Sequence, residues 1–213
     1  MTTYTRADIG LRPATGGPGR LDAEEVEGIA LHWPAISKPL RDVADVKAAL
    51  RGWQAYHMDH KDWSDIAYQV AVDQAGNRYE LRGLATQSGA NGDQDVNERF
   101  GALLLILAPG EKPTRRMVRG VRRVVKQHRA LFPQSRRIVG HSEIRPEPTA
   151  CPGPAALAAI RAGRFEPVSF TRGHRVDELI RLTREALPHN SGARLAGLKE
   201  SLTALLAIPR RRK

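Results

Sequence analysis

The run from Gly140 to Gly153 carries Pro146, Pro148 and Pro152. Proline fixes φ and removes a backbone donor, which excludes Arg145 to Pro152 from a regular helix and from a central strand. The alternative is a shaped loop, bracketed by His141 and by Cys151, the only cysteine of the chain. An imidazole and a thiolate are ligand types that zinc takes, and a catalytic zinc keeps three protein ligands and one open position. Two ligands are present in this stretch, so a third must come from elsewhere in the chain.

A length of 213 residues suits one ordinary domain with an appendage, or two small domains. With 41% hydrophobic and 27% charged residues the composition is that of a globular protein. Met1 to Arg20 is polar and rich in Gly and Pro, so no signal peptide is expected there. No apolar run approaches the roughly 20 residues that span a bilayer, so no membrane insertion is expected. A single cysteine excludes an internal disulfide framework and leaves the thiol for metal or catalysis. The formal charge of +11 points to anionic partners: nucleic acid, acidic lipid or an acidic wall polymer. Charge does not choose among them.

Residues 1–27 read as a polar lead-in. Gly28 to Trp33 is a short apolar run, a buried strand with His32 near its end. Val43, Val46, Leu50 and Trp53 recur at helical spacing, in a helix that Gly52 begins to close. After the polar Tyr56 to Asp62, with His57 and His60, period-2 alternation predicts a strand over Trp63 to Val72 with Ile66, Tyr68, Val70 and Val72 on one face. Asp73 to Asn77 is a hairpin turn and Arg78 to Arg82 the return strand. Gly83 to Glu98 is a long polar loop of the kind that lines a groove, and Leu103 to Leu107 is a core strand. Pro113 to Leu131 is the clearest helix, with an inner stripe of Met117, Val118, Val121, Val124, Val125, His128 and Leu131 and its arginines outside. Arg137 to Val139 is a short strand delivering His141, and Ala155 to Ala162 a closing helix. The order predicts an α/β fold: a central mixed β-sheet flanked by helices. The expected organisation is a catalytic domain over 1–166, a linker over 167–174, and a small helical hairpin with a basic tail over 175–213, serving wall binding or self-association.

Four motifs occur in order: His32 at a strand end; Trp63, Asp65, Ile66, Ala67 and Tyr68; Gly76, Tyr79, Glu80, Arg82 and Gly83 after a hairpin; and Gly140-His141 followed by Pro148-Thr149-Ala150-Cys151-Pro152-Gly153. Over roughly residues 25–165 this resembles the type 2 N-acetylmuramoyl-L-alanine amidases, the superfamily shared by phage endolysins and peptidoglycan recognition proteins. The chain departs from the family pattern at Leu31 and Trp33, where many members carry a histidine and a threonine, in a longer loop between His141 and Cys151, and in the bulky Leu103-Leu104-Leu105.

The resemblance implies that His32, His141 and Cys151 bind one zinc ion. It implies that Tyr68 is the catalytic tyrosine and that Thr149 occupies the active members' Thr or Lys position. The implied substrate partner is bacterial peptidoglycan, cut at the amide between N-acetylmuramic acid and L-alanine, in a phage-type endolysin made in the host cytoplasm and acting on the wall after release. Asp65 reads as a turn or capping carboxylate, Glu143 as a loop charge within reach of His141, and His57, His60, His128, His174 and His189 as structural or solvated histidines. The rival readings are a non-catalytic peptidoglycan-binding module, disfavoured by the retained Cys151, a bacterial wall-recycling amidase, and a nucleic-acid binder. For the last there is no recognisable binding motif and few aromatics for base stacking.

Overall fold

The computed structural model describes residues 1–167 apart from Ala35 and Pro146; the hairpin expected over 175–213 lies outside the described residues. Six strands form one mixed sheet: β1 (Thr3–Tyr4), β2 (Gly28–His32), β3 (Val70–Val72), β4 (Arg78–Glu80), β5 (Phe100–Leu105) and β6 (Arg137–Gly140). Their order is β1-β4-β3-β5-β2-β6. All neighbours run parallel except the β3–β4 hairpin. Every residue of β2 and β5 is buried, as expected of parallel strands covered on both faces, and this accommodates the unbroken leucines of β5.

Helices cover both faces. On one, α4 (Arg115–Leu131) and α5 (Pro154–Arg161) set Met117, Val121, Val124, Val125, Ala156 and Ala159 against Leu31, Val70, Val72, Leu103 and Leu105. On the other, α1 (Arg6–Ile9) and α2 (Val43–Ala55) set Ile9, Val46 and Leu50 against Ala71, Tyr79 and Leu104. A short helix, α3 (Gln94–Arg99), precedes β5. Capping follows the sequence: Thr114 accepts from the Met117 N–H, Asp42 from Asp45, and Asp93 from Asp95 and Val96.

Five expectations are corrected. The lead-in is structured, because β1 pairs with β4 and α1 closes a capping box between Thr5 and Asp8. Its anchor is Arg6, which donates from two nitrogens to Asp65 at 2.8 and 3.2 Å, so the capping carboxylate of the sequence reading instead ties the N-terminal segment down. Gly52 does not close α2; the chain runs on through a π-helical turn, Tyr56–His60.

The strand predicted over Trp63 to Val72 is regular only at Val70–Val72. Upstream, Gln69 N–H still bonds the Ala102 carbonyl and the carbonyls of Tyr68 and Gln69 still accept from Arg82 and Leu81 N–H, but outside a regular strand, and side chains supplement them. Arg82 donates to the carbonyls of Ile66, Gln87 and Asp65. Buried Gln69 bonds Ala102 N–H and the carbonyls of Leu84 and Thr86. As a result Ile66 and Tyr68 pack with Ala71 on one face, while Val70 and Val72 face the other. Finally, Leu131 leaves the inner stripe of α4 and is 48% exposed.

Candidate metal centre and groove

Register alone brings the two histidines together. Strands β2 and β6 are parallel neighbours, with Leu31 opposite Gly140. The next residue along each strand is therefore a histidine at the same level, and the rings of His32 and His141 lie 4.4 Å apart between centroids. Cys151 is carried back to them by the proline loop. The Ser142 N–H bonds the Cys151 carbonyl at 2.8 Å. Pro152 packs where Gly140 has no side chain, since a Cβ there would come within 2.8 Å of its Cδ. Trp33 occupies the comparable space at Gly153, which has φ of +84° and no room for a Cβ. The Trp33 backbone N–H also points at Cys151 Sγ, 3.4 Å away. The departure at Trp33 thus has a physical role, in which the residue after one ligand clamps the loop holding another.

One ligand atom from each of His32, His141 and Cys151 can be chosen so that all lie within 4.8 Å of one another. Cys151 Sγ and His32 Nδ1 are 3.7 Å apart, close to the roughly 3.5 Å that tetrahedral geometry gives for Zn–N and Zn–S bonds of about 2.0–2.3 Å. The protonation pattern matches as well. The Asn91 side-chain amine donates to the Phe100 carbonyl at 2.9 Å, which turns its Oδ1 toward His32 Nε2 at 3.0 Å. An amide oxygen can only accept, so Nε2 carries the proton and Nδ1 presents its lone pair toward the thiol. His141 Nε2 is buried without a hydrogen-bond partner among the described residues. Burial, then the neighbouring His141, pulls His32 down to about 3. Burial likewise lowers His141, against a hydrogen bond to the Asn91 backbone, and raises the Cys151 thiol to about 11. Both imidazoles are therefore in their ligating form, and a cation bound here displaces the thiol proton.

In front of the cluster runs a groove of about 720 Å³, lined by His141, Tyr68, His57, Trp63, Arg82 and Arg145 together with the 87–97 loop. Tyr68 is half-buried, its ring 5.4 Å from that of His32. Burial and the Cys151 charge push its phenol above the ordinary range, so it remains an O–H donor at neutral pH. Thr149 is not among the lining residues; its Oγ1 accepts the Cys151 N–H at 3.2 Å, leaving its own proton to donate. Glu143 takes the Gly140 N–H and pairs with Arg161.

The sequence reading missed three contributors. Asn91 lay unmarked in the polar loop, yet with Ser88 and Asn97 it forms the buried network behind His32. His57, a structural or solvated histidine by its sequence surroundings, lines the groove, its ring stacked on Trp63 at 5.0 Å and its Nδ1 accepting the Ala67 N–H. Its position just upstream of the tyrosine motif was the available signal. Arg145 sits in the proline loop, where it was read only as part of the spacing between ligands.

No protein-family model matches the chain. Peptidoglycan recognition protein LE, solved in complex with tracheal cytotoxin, superposes with a TM-score of 0.68 at 21% identity, covering 78% of this chain and 95% of that one. Drosophila PGRP-LB gives 0.66 at 20% identity, covering 79% and 98%. The chain has the peptidoglycan recognition protein fold. In sequence this fold unit is similar to the N-acetylmuramoyl-L-alanine amidase of Sus scrofa, 29% identical over 162 residues, which is 74% of this chain and 26% of that protein. The chain spans about a quarter of the length of the curated relatives it matches. Among the described residues no helix of the recognition-protein fold is long and apolar enough to cross a membrane.

Proposed function

We propose that the chain is a zinc-dependent N-acetylmuramoyl-L-alanine amidase, hydrolysing the amide between N-acetylmuramic acid and the L-alanine of the stem peptide. The observation that carries this is the convergence of His32, His141 and Cys151, whose His141 lines an open groove together with Tyr68. A recognition module needs the groove; it does not need a half-buried thiol beside two neutral imidazoles. The name of the pig relative and the muropeptide bound to protein LE support peptidoglycan as the substrate class.

When bound, zinc supplies a Lewis acid that polarises the scissile carbonyl and makes water a competent nucleophile near neutral pH. His32, His141 and Cys151 would hold it, and Asn91 keeps Nδ1 of His32 available. Tyr68 donates its phenolic proton in a hydrogen bond to the attacking water or to the oxygen on which negative charge develops. The Thr149 hydroxyl positions the Cys151 backbone and has its own proton free to steady that charge. The basic balance of the chain suits an acidic wall, and a phage-type lysis role is part of the same proposal.

Mass spectrometry of a soluble N-acetylmuramoyl peptide incubated with the zinc-loaded protein tests the reading. Separate sugar and peptide masses, each intact, are the expected products. An uncleaved fragment that nevertheless binds would leave the recognition module in its place.

A further inference from the structure

Outside the groove, positive charge gathers on α4. Its outward side carries Arg115, Arg116, Arg119, Arg122, Arg123 and Lys126, and the helix holds no carboxylate. Many of these residues stand three or four apart, the spacing at which like charges on a helix repel. Arg115 and Arg116 open the helix, where the macrodipole is positive and an acid is the stabilising choice; the first turn has none. Among the described residues, none of these cations pairs with a carboxylate. Folding gains nothing from such an arrangement, whereas an anion from outside relieves it.

The charge also has a shaped seat. A pocket of about 510 Å³ is lined by Arg116, Arg119 and Arg123 on the helix and by Met1, Ala75 and Asn77 facing them. The β3–β4 turn and the helix are fixed to each other. Gly76, with φ of +81°, lies so close to α4 that a Cβ would come within 2.5 Å of the Arg116 carbonyl oxygen, and Gly120 has no room for one either. The Thr114 N–H donates to Gln74 Oε1 at 3.0 Å and its hydroxyl to the Gln74 carbonyl. The acid of this turn, Asp73, is buried and accepts from both amides of Asn77 and from the Tyr79 hydroxyl. The three arginines are exposed, no carboxylate lines the pocket, and none of its residues lines the groove.

We propose that this face of α4 binds an anionic phosphodiester polymer of the cell wall, with successive arginines on successive phosphates. A guanidinium takes phosphate oxygens in pairs. From Arg115 to Lys126 the helix rises about 16 Å, long enough to follow a chain of phosphates. A lipid surface is disfavoured because the apolar stripe of α4, with Met117, Val121, Val124 and Val125, is packed into the core and leaves no apolar side to enter a bilayer. Nucleic acid is disfavoured because no aromatic ring lines the pocket for a base to stack on. The wall as the source of the polymer rests on the peptidoglycan reading. Binding here holds the protein to the wall and leaves the groove open.

The test titrates the zinc-loaded full-length protein with a fluorescently labelled poly(glycerol phosphate), a labelled oligo(dT) of equal charge, and vesicles of mixed neutral and anionic phospholipid, each at several salt concentrations. Wild type should bind the glycerol phosphate polymer most tightly, with affinity falling steeply as salt rises. The triple variant Arg116→Gln, Arg119→Gln, Arg123→Gln should lose roughly 10–100-fold at low salt, and the slope of log affinity against log salt should shrink by about 2. Replacing the same three by lysine should keep most of the affinity. The glutamine variant should melt no lower than wild type, since repulsion is removed, and should cleave a soluble N-acetylmuramoyl peptide at the wild-type rate. Tighter binding of oligo(dT) or of vesicles, no binding of the polymer, or wild-type affinity and slope in the glutamine variant would overturn the assignment. Binding is read without turnover, so a protein that holds the polymer and cleaves no muramoyl peptide counts against the amidase reading alone.

Discussion

The amide oxygen of Asn91 lies 3.0 Å from Nε2 of His32 and, because the amide nitrogen is committed to the Phe100 carbonyl, it determines which imidazole nitrogen is left bare. A loop residue far from His32 in sequence thereby leaves one imidazole nitrogen of the candidate metal centre bare. Such supporting partners are typically worth ~10–100-fold in metal affinity. Asn91→Ala should weaken zinc binding by about that factor, measured by competition with a chromophoric chelator, while the fold is retained by circular dichroism. Unchanged affinity would show that the hydrogen bond does not set the tautomer.

A site assembled from two strand ends and a distant loop couples metal to folding. Zinc at ~100 times its dissociation constant should stabilise the native state by about 2.7 kcal/mol. The melting temperature should rise on zinc addition and fall with a chelator, and Cys151→Ser should remove most of the response. A Tm indifferent to zinc would place the ion elsewhere.

Tyr68 keeps its proton because burial and the adjacent thiol oppose ionisation. Losing one oxyanion donor typically costs about 3–4 kcal/mol in barrier. Tyr68→Phe should accordingly lower kcat by ~100-fold or more with little change in KM and full zinc content. A variant with normal turnover and bound zinc would remove the tyrosine from the chemistry.

Asp62, on the groove rim, has φ of +54° and is the only described non-glycine residue with positive φ. The left-handed region is strained for a side chain with a Cβ and free of strain for glycine, a difference of order 1 kcal/mol. Asp62→Gly should raise stability by about 0.5–1 kcal/mol in urea unfolding, offset in part by the greater freedom of glycine in the unfolded chain. A clear loss of stability would mean that the aspartate side chain makes contacts worth more than the strain.

His128 is fully buried, with Nδ1 on the Ser135 hydroxyl and Nε2 without a partner among the described residues. Burial and the charge of Arg129 pull it down to about 4. Unfolded, it titrates near 6.5, so between about pH 6.5 and 4 the unfolded chain binds a proton that the folded chain refuses. Stability should therefore fall as pH falls through that window, by at most ~1.4 kcal/mol per pH unit from this residue. His57, also pulled down to about 4, chiefly by burial, adds the same sign. His128→Gln should flatten the slope of urea stability against pH; an unaltered slope would assign the proton uptake elsewhere.

What could be read in the chain followed from how local each signal was. The proline loop, the apolar run ending at His32 and the stripe of α4 each carry their own pattern, and they sufficed for the mixed sheet and its flanking helices. The edge strand Thr3–Tyr4 could not be read, because its two residues make sense only against Arg78 and Tyr79. The change of face between Tyr68 and Val70 was hidden for a similar reason: the regular strand begins only at Val70, and before it side-chain bonds from Arg82 and Gln69 supplement the backbone ones, which alternation does not register. Asn91 and Arg145 meet partners distant in sequence, His32 and Gly92, so local pattern marked neither, whereas His57 stands just upstream of the tyrosine motif that it packs against.

The most direct measurement is to incubate the zinc-loaded protein with intact peptidoglycan, with and without chelator, and count new L-alanine amino termini against new reducing sugar ends. The account predicts new alanine termini without reducing ends, abolished by chelator and by Cys151→Ser. Alanine termini that persist in Cys151→Ser, or none at all from a protein that holds zinc and binds the wall, would contradict it.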